Sequence, residues 1–263
     1  MEVHHHPNLH HDRKPWKEYI LEGLMIFLAV MLGFFAENLR EHISDNNREK
    51  EFAKALYVEL RDDSIVAAQK LQLRNGKIRE LAYLHNYFKD SSLTVLPRRF
   101  YPSFTTGIYL FNRYTFEPKD GILSQLRNSG SLRYFKSVAL QKQLGDLSVD
   151  INNIRYRTEE EYLFFSSPLK PFLLKYFDFE WLNQLRNENT SPNIDNAFKD
   201  YMIGRIKATG TILNVTAFDR GEAANMAGFY RQMIVSTNSL QLNNYIVDNK
   251  KVLETLRKTY PLD

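Results

Sequence analysis

Five imidazoles crowd the start of the chain: His4, His5, His6, His10 and His11 in "MEVHHHPNLHHD". Neutral imidazole is a ligand for zinc, nickel and copper, and a short histidine-rich tract can hold such ions weakly. A built metal site also supplies a partner for the second ring nitrogen of each ligand. No such shell is legible around this tract, so it reads as a polar lead-in and no metal ligand is assigned. Beyond it stand only His42 and His85. On one continuous helix they lie about twelve turns apart and cannot share an ion. Glu159, Glu160 and Glu161 form an acidic run, but consecutive helical residues point in different directions. The expectation is a solvated face, and the same holds for Asp62 and Asp63. Arg98, Arg99, Phe100 and Tyr101 make a basic–aromatic cluster that could meet an anionic headgroup or a partner; the plainer reading tucks its aromatics into the domain.

No phosphate-binding glycine loop, nucleophile elbow, H-E-x-x-H or calcium loop is present. The chain has no cysteine, which removes disulfides, thiol nucleophiles, iron–sulfur clusters and cysteine-ligated zinc together. No catalytic residue and no cofactor are assigned, and the chain is not expected to be an enzyme. Basic and acidic residues alternate, with a formal charge of only +4, so there is no nucleic-acid footprint.

Two carboxylates need an explanation of another kind. Glu22 and Glu37 bracket residues 23–36, fourteen residues without a charge, or roughly 21 Å of helix at 1.5 Å per residue. A bilayer core of about 30 Å takes about 20 residues. A transmembrane helix over residues 19–39 has that length and leaves both glutamates near the interfaces, where their cost is lower. No ionisable group stands in the middle, so a proton relay is excluded. Trp16 and Tyr19 suit the interfacial belt on the entry side. Glu22, Ile26, Ala29, Gly33 and Glu37 share one helical face. Ala29 and Gly33 form a small-xxx-small pair of the sort that lets helices approach in lipid. Two readings stay open: a contact face for self-association or a partner, and a lone anchor with interfacial glutamates.

The apolar run is long for a signal peptide and passes without a cleavage site into "LREHISDNNREKEFAKALYVEL". The reading is an uncleaved signal-anchor in the inner membrane. Arg13, Lys14 and Lys17 precede it, while Arg40, Arg48, Lys50 and Lys54 follow. That balance is nearly even; the basic residues immediately before a first span favour a cytoplasmic N-terminus and a periplasmic domain.

The elements after the span are helical. Phe52, Leu56, Leu60, Ala67, Leu71, Ile78 and Ala82 predict one long helix to about Phe88, with Gly76 a weak point and Ser64 bonding back to its own turn. Pro97 and Pro102 predict an irregular connection. "TTGIYLFNRYTF" can begin as helix or strand. Pro118 suits a first helical turn, Gly130 a C-terminal cap and Ser131 a new N-cap. Leu140, Leu144, Leu147, Ile151 and Ile154 make a 4-3-4-3 seam that Pro168 and Pro171 break. A shorter aromatic helix follows in "FLLKYFDFEWLNQL", then a polar linker over residues 186–195. A last long helix carries Met226, Met233, Leu240, Tyr245, Val252 and Leu256. The predicted organisation is therefore a histidine-rich tail (residues 1–18), the span (19–39) and an all-α antiparallel bundle (40–263).

Three stretches carry a resemblance. "EGLMIFLAVMLGFFAENLRE" with "REKEFAKALYVELRDDS" resembles the opening of an uncharacterised family of bacterial single-span membrane proteins. "FEPKDGILSQLRNSGSLRYFKSVALQKQL" is similar to that family's central signature, carried by Phe116, Pro118, Leu126, Ser129, Gly130, Leu132 and Leu140. "LNNYIVDNKKVLETLRKTY" resembles its closing helix. The resemblance implies an anchored all-α extramembrane domain; these are packing and capping patterns, and no functional residue comes with them. The expected partners are the lipid bilayer and a protein, either another species or a second copy. The alternative is a periplasmic small-molecule sensor. With residues 1–18 before the span, it would signal through a partner.

Overall fold

The computed structural model describes residues 15–188 and 193–262. The histidine tract and the middle of the polar linker lie outside the described residues. All regular elements among the described residues are helical, with no strand. The chain divides into two compact units, Met1–Glu51 and Phe52–Asp263.

Helix α1 runs Trp16–Asp90. It passes through Gly76 unbroken, since one glycine costs only about 1 kcal/mol against the packing around it. In the first unit its surface is bare. Phe34 and Phe35 are 73% and 70% exposed, and Ile20, Leu24, Phe27 and Leu32 are exposed with them. Single exposed apolar side chains are ordinary; an unbroken sleeve of them is not. This helix is long and apolar enough to cross a membrane. Glu22, Ile26, Ala29, Gly33 and Glu37 are all exposed on it, and Trp16 and Tyr19 stand exposed at its start. Glu37 pairs within the helix with Arg40, at 2.5 and 2.9 Å.

The second unit builds on the rest of α1. It adds α2 (Phe100–Phe104), α3 (Gly121–Asn128), α4 (Val138–Phe164), α5 (Lys170–Tyr176), α6 (Phe179–Glu188), α7 (Ile194–Met202), α8 (Arg220–Ser236) and α9 (Asn243–Thr259). Two apolar cores form. One is aliphatic: the α4 seam of Leu140, Leu144, Leu147, Ile151 and Ile154 is fully buried with Leu56 and Leu60 of α1 and Val252 and Leu256 of α9. The other is aromatic. Phe88 meets Phe100, Phe104 and Phe172 edge to face at 6.0–6.2 Å, and Tyr101 stacks on Trp181 at 4.7 Å. Such offset and edge-on contacts follow the ring quadrupole. Phe100 and Tyr101 are thus interior, as the plainer reading of their cluster has it.

Several local expectations are corrected. Pro118 precedes α3 by three residues instead of opening it; the helix starts at Gly121. Gly130 does take the left-handed cap conformation, at φ 69°, but it also leads the next 3-10 turn, in which Ser131 is the first residue and not the cap. Pro168 does not break the chain. It lies in a π turn, Phe165–Leu169, that links α4 to α5; the wider turn accommodates a ring that clashes with the carbonyl four residues back in a regular helix. "TTGIY" resolves into another π turn, Thr105–Tyr109. A third, Thr237–Leu242, joins α8 to α9. It rotates the face, so Leu240 is 56% exposed while Tyr245, Val252 and Leu256 are buried.

The segment after α7 is seated by close approach. A Cβ on Gly210 would stand 2.6 Å from the Tyr101 ring, whose hydroxyl donates to Thr211 O at 2.5 Å. Gly210→Ala is expected to cost about 1–3 kcal/mol, measured as a lower urea midpoint with an unchanged m-value.

Candidate functional site

The buried face of α1 in the second unit reads Ala53, Leu60, Ala67, Arg74, Leu81, Phe88, a strict seven-residue register with one cation in it. Lys77 lies beside Arg74, one turn on, and is wholly buried. These two residues come between the α1 side chains of the aliphatic core and those of the aromatic core.

Arg74 is held on every side. Its Nη1 and Nη2 donate to Glu161 of α4 at 3.1 and 2.6 Å, its Nε to Asn238 Oδ1 at 2.6 Å, and Nη1 also to Tyr114 O at 3.1 Å. Thr237 Oγ1 donates to Glu161 Oε1 at 2.7 Å. Consecutive Thr237 and Asn238 both reach this layer from the π turn between α8 and α9. π turns often occur where side chains must be re-aimed. Lys77 Nζ donates to Tyr230 Oη at 3.1 Å and Leu110 O at 3.4 Å. It lies 4.7 Å from the ring centres of both Tyr114 and Tyr230. Burial away from water lowers its pKa to about 7, against the attraction of Glu161.

A second polar cluster lies in the aliphatic core. Asp63 accepts from Lys119 N at 2.7 Å and from Tyr245 Oη at 2.9 Å, and Asn249 bridges Tyr245 to Leu60 O. Burial raises the Asp63 carboxyl above its ordinary range, with the two donors opposing it. Glu59 accepts from Ile122 N at 3.1 Å and so caps α3 from another helix.

Two expectations of solvated carboxylates are therefore wrong. Asp62 and Glu159 face solvent, but Asp63 and Glu161 are 1% and 3% exposed and fully engaged. The signal for Arg74 was in the sequence, as a cation on a heptad of Ala and Leu. Its side-chain acceptors lie 87 and 164 residues away in the chain, which no local pattern announces. Ser64 does bond back, to Arg61 O at 2.7 Å.

The layer opens onto a solvent-connected cleft of about 720 Å³, with Tyr114 in its lining. Arg79, Glu80, Arg99, Ser103, Arg113 and Asp195 supply its polar groups, and Leu73, Phe198 and Met202 its apolar surface. Arg113 and Asp195 pair in a fork. Glu80 accepts from Ser103 Oγ at 2.6 Å, and Arg99 lies over the Tyr83 ring at 4.3 Å. Arg79 has no carboxylate partner among the described residues. Tethered ion pairs with one free guanidinium make a recognition surface. No cluster of three or more histidines and carboxylates is spaced to hold a metal among the described residues.

Comparison with family models, with curated proteins and with solved structures finds no match.

Proposed function

We propose that this chain is a membrane-anchored helical interaction module. The apolar stretch of α1 crosses a bacterial inner membrane, N-terminus cytoplasmic, and the periplasmic bundle engages a protein partner or a second copy. The observation that supports this most is the bare apolar sleeve over residues 19–39. Each Leu, Ile or Phe left in water forgoes about 1.5–3 kcal/mol of burial, and a bilayer supplies the cover. The exposed Trp16 and Tyr19 suit headgroup anchors, and the resemblance to a family of single-span proteins agrees. Gly33 has open space around its Cβ position, so close approach of a second helix along Ala29 and Gly33 is sterically free. Gly33→Ile is expected to abolish crosslinked dimers in detergent; dimers that survive it would end the self-association part.

Orientation has a clean probe because the chain lacks cysteine. Val95 is 76% exposed on the bundle. Val95→Cys is expected to react with an impermeant thiol reagent in cells whose outer envelope alone is permeable. Protection until lysis reverses the topology.

The cleft favours a second reading, a small-molecule sensor that signals through a partner. Its 720 Å³ is within the range of ligand sites.

A further inference from the structure

The crossing of α1 and α8 carries two adjoining depressions that share His85 and Asn225, of about 510 and 340 Å³. Their linings contain Lys89, Arg220 and Arg231, the amides of Asn86, Asn225 and Gln232, and no aspartate or glutamate. In a chain where acid and base otherwise alternate, this lining carries basic and amide groups alone, whereas the first cleft holds both signs.

Its side chains are positioned rather than merely present. His85 Nδ1 stands 2.7 Å from Ala224 O; a carbonyl can only accept, so Nδ1 carries the hydrogen and Nε2 is left for a ligand. The ring lies against the bare backbone of Gly228, where an added Cβ would be 2.9 Å from Nδ1. Arg220 is fixed by donating to Phe88 O in the last turn of α1 and to Ser91 O just past it, at 3.1 and 2.9 Å. Arg231 buries its Nε–H with no acceptor in the structure, and such a donor is costly unless something accepts from it. Lys89, Asn225 and Gln232 have no partner among the described residues.

We propose that this groove binds a phosphate-class oxyanion. Arg231, Arg220 and Lys89 supply charge-assisted donors, and Asn225 and Gln232 supply neutral ones. His85 Nε2 accepts from the hydroxyl of a monoanionic phosphate. This assignment does not depend on the anchoring proposed above, nor on the first cleft.

The test is equilibrium dialysis of the full chain in detergent against labelled inorganic phosphate at fixed ionic strength, with glycerol phosphate as a competitor. The expected result is saturable binding at one site per chain. Asn225→Asp, which places a carboxylate in the groove with almost no change of shape, and Arg231→Gln are each expected to weaken it by about tenfold or more. Arg79→Gln, in the first cleft, is expected to leave it unchanged. Both substituted groove positions are at least partly exposed, and circular dichroism checks that each variant is folded. Stronger competition by glycerol phosphate than by unlabelled phosphate assigns the adjoining depression to an organic ester; equal competition assigns the site to free phosphate. Absence of saturable binding, or binding that survives both groove substitutions, overturns the proposal. So does an equal loss in Arg79→Gln.

Discussion

Glu161→Leu lowers the free energy of unfolding by about 3–5 kcal/mol, and adding Arg74→Met restores most of it. The first figure is the cost of leaving one member of a buried ion pair without its partner. Arg74 and Glu161 are 4% and 3% exposed and joined through two guanidinium nitrogens. With the carboxylate gone, the guanidinium keeps only Asn238 and Tyr114 O, neither of which carries charge. The double substitution removes both desolvated ions, and apolar replacement of a buried pair is often neutral or stabilising. Chemical denaturation of the four proteins gives the coupling directly. Additive single effects would show that Arg74 and Glu161 act independently and that the layer is not a unit.

Lys77→Met raises stability by roughly 1–4 kcal/mol at pH 6, and the gain fades towards pH 10. The sign follows from the buried amine. Its folded pKa is depressed to about 7 from an ordinary 10.5. Below pH 7 the lysine is charged in both states, and the native state bears the full penalty of burying that charge. Between about 7 and 10.5 the unfolded chain holds the proton and the native chain does not, so wild-type stability from this group rises with pH. Methionine keeps the volume and abolishes that dependence. The lost bond to Tyr230 Oη offsets part of the gain. A variant whose difference from wild type is the same at pH 6 and pH 10 would mean that Lys77 is solvated. A buried cation kept at a cost is also how functional lysines arise, so a more stable Lys77→Met protein with weakened partner or ligand binding would assign this layer to function.

Much of this fold was legible because its signals are periodic. The 4-3-4-3 seam of α4 places its buried residues correctly, since it is set by local helix geometry; on α1 Leu56, Leu60 and Ala67 are buried as expected, while Phe52, Leu71, Ile78 and Ala82 are only half-buried. Even the π turn between α8 and α9 left a trace. Met226, Met233 and Leu240 are spaced by seven, Tyr245 follows after five, and the spacing of seven then resumes at Val252. The face rotates through that π turn, which is why Leu240 is exposed and Tyr245 buried. Pro168 was misread because a proline rule for α-helices was applied to a wider turn. The polar layer was hidden for a different reason. Glu161 looks like one of three surface glutamates until Arg74 is brought against it by the tertiary fold, and the same is true of Asp63 beside Tyr245. Charge in a helix is usually solvated; what overrides that is a partner far away in the chain.

The proposed anchoring is tested most directly by alkaline extraction of membranes from cells making the full chain. The account predicts that the protein stays with the sedimented bilayer at high pH and is released only by detergent. A chain found in the soluble fraction, or stripped from membranes by alkali alone, would contradict it, and the bare sleeve over residues 19–39 would then need a protein to cover it.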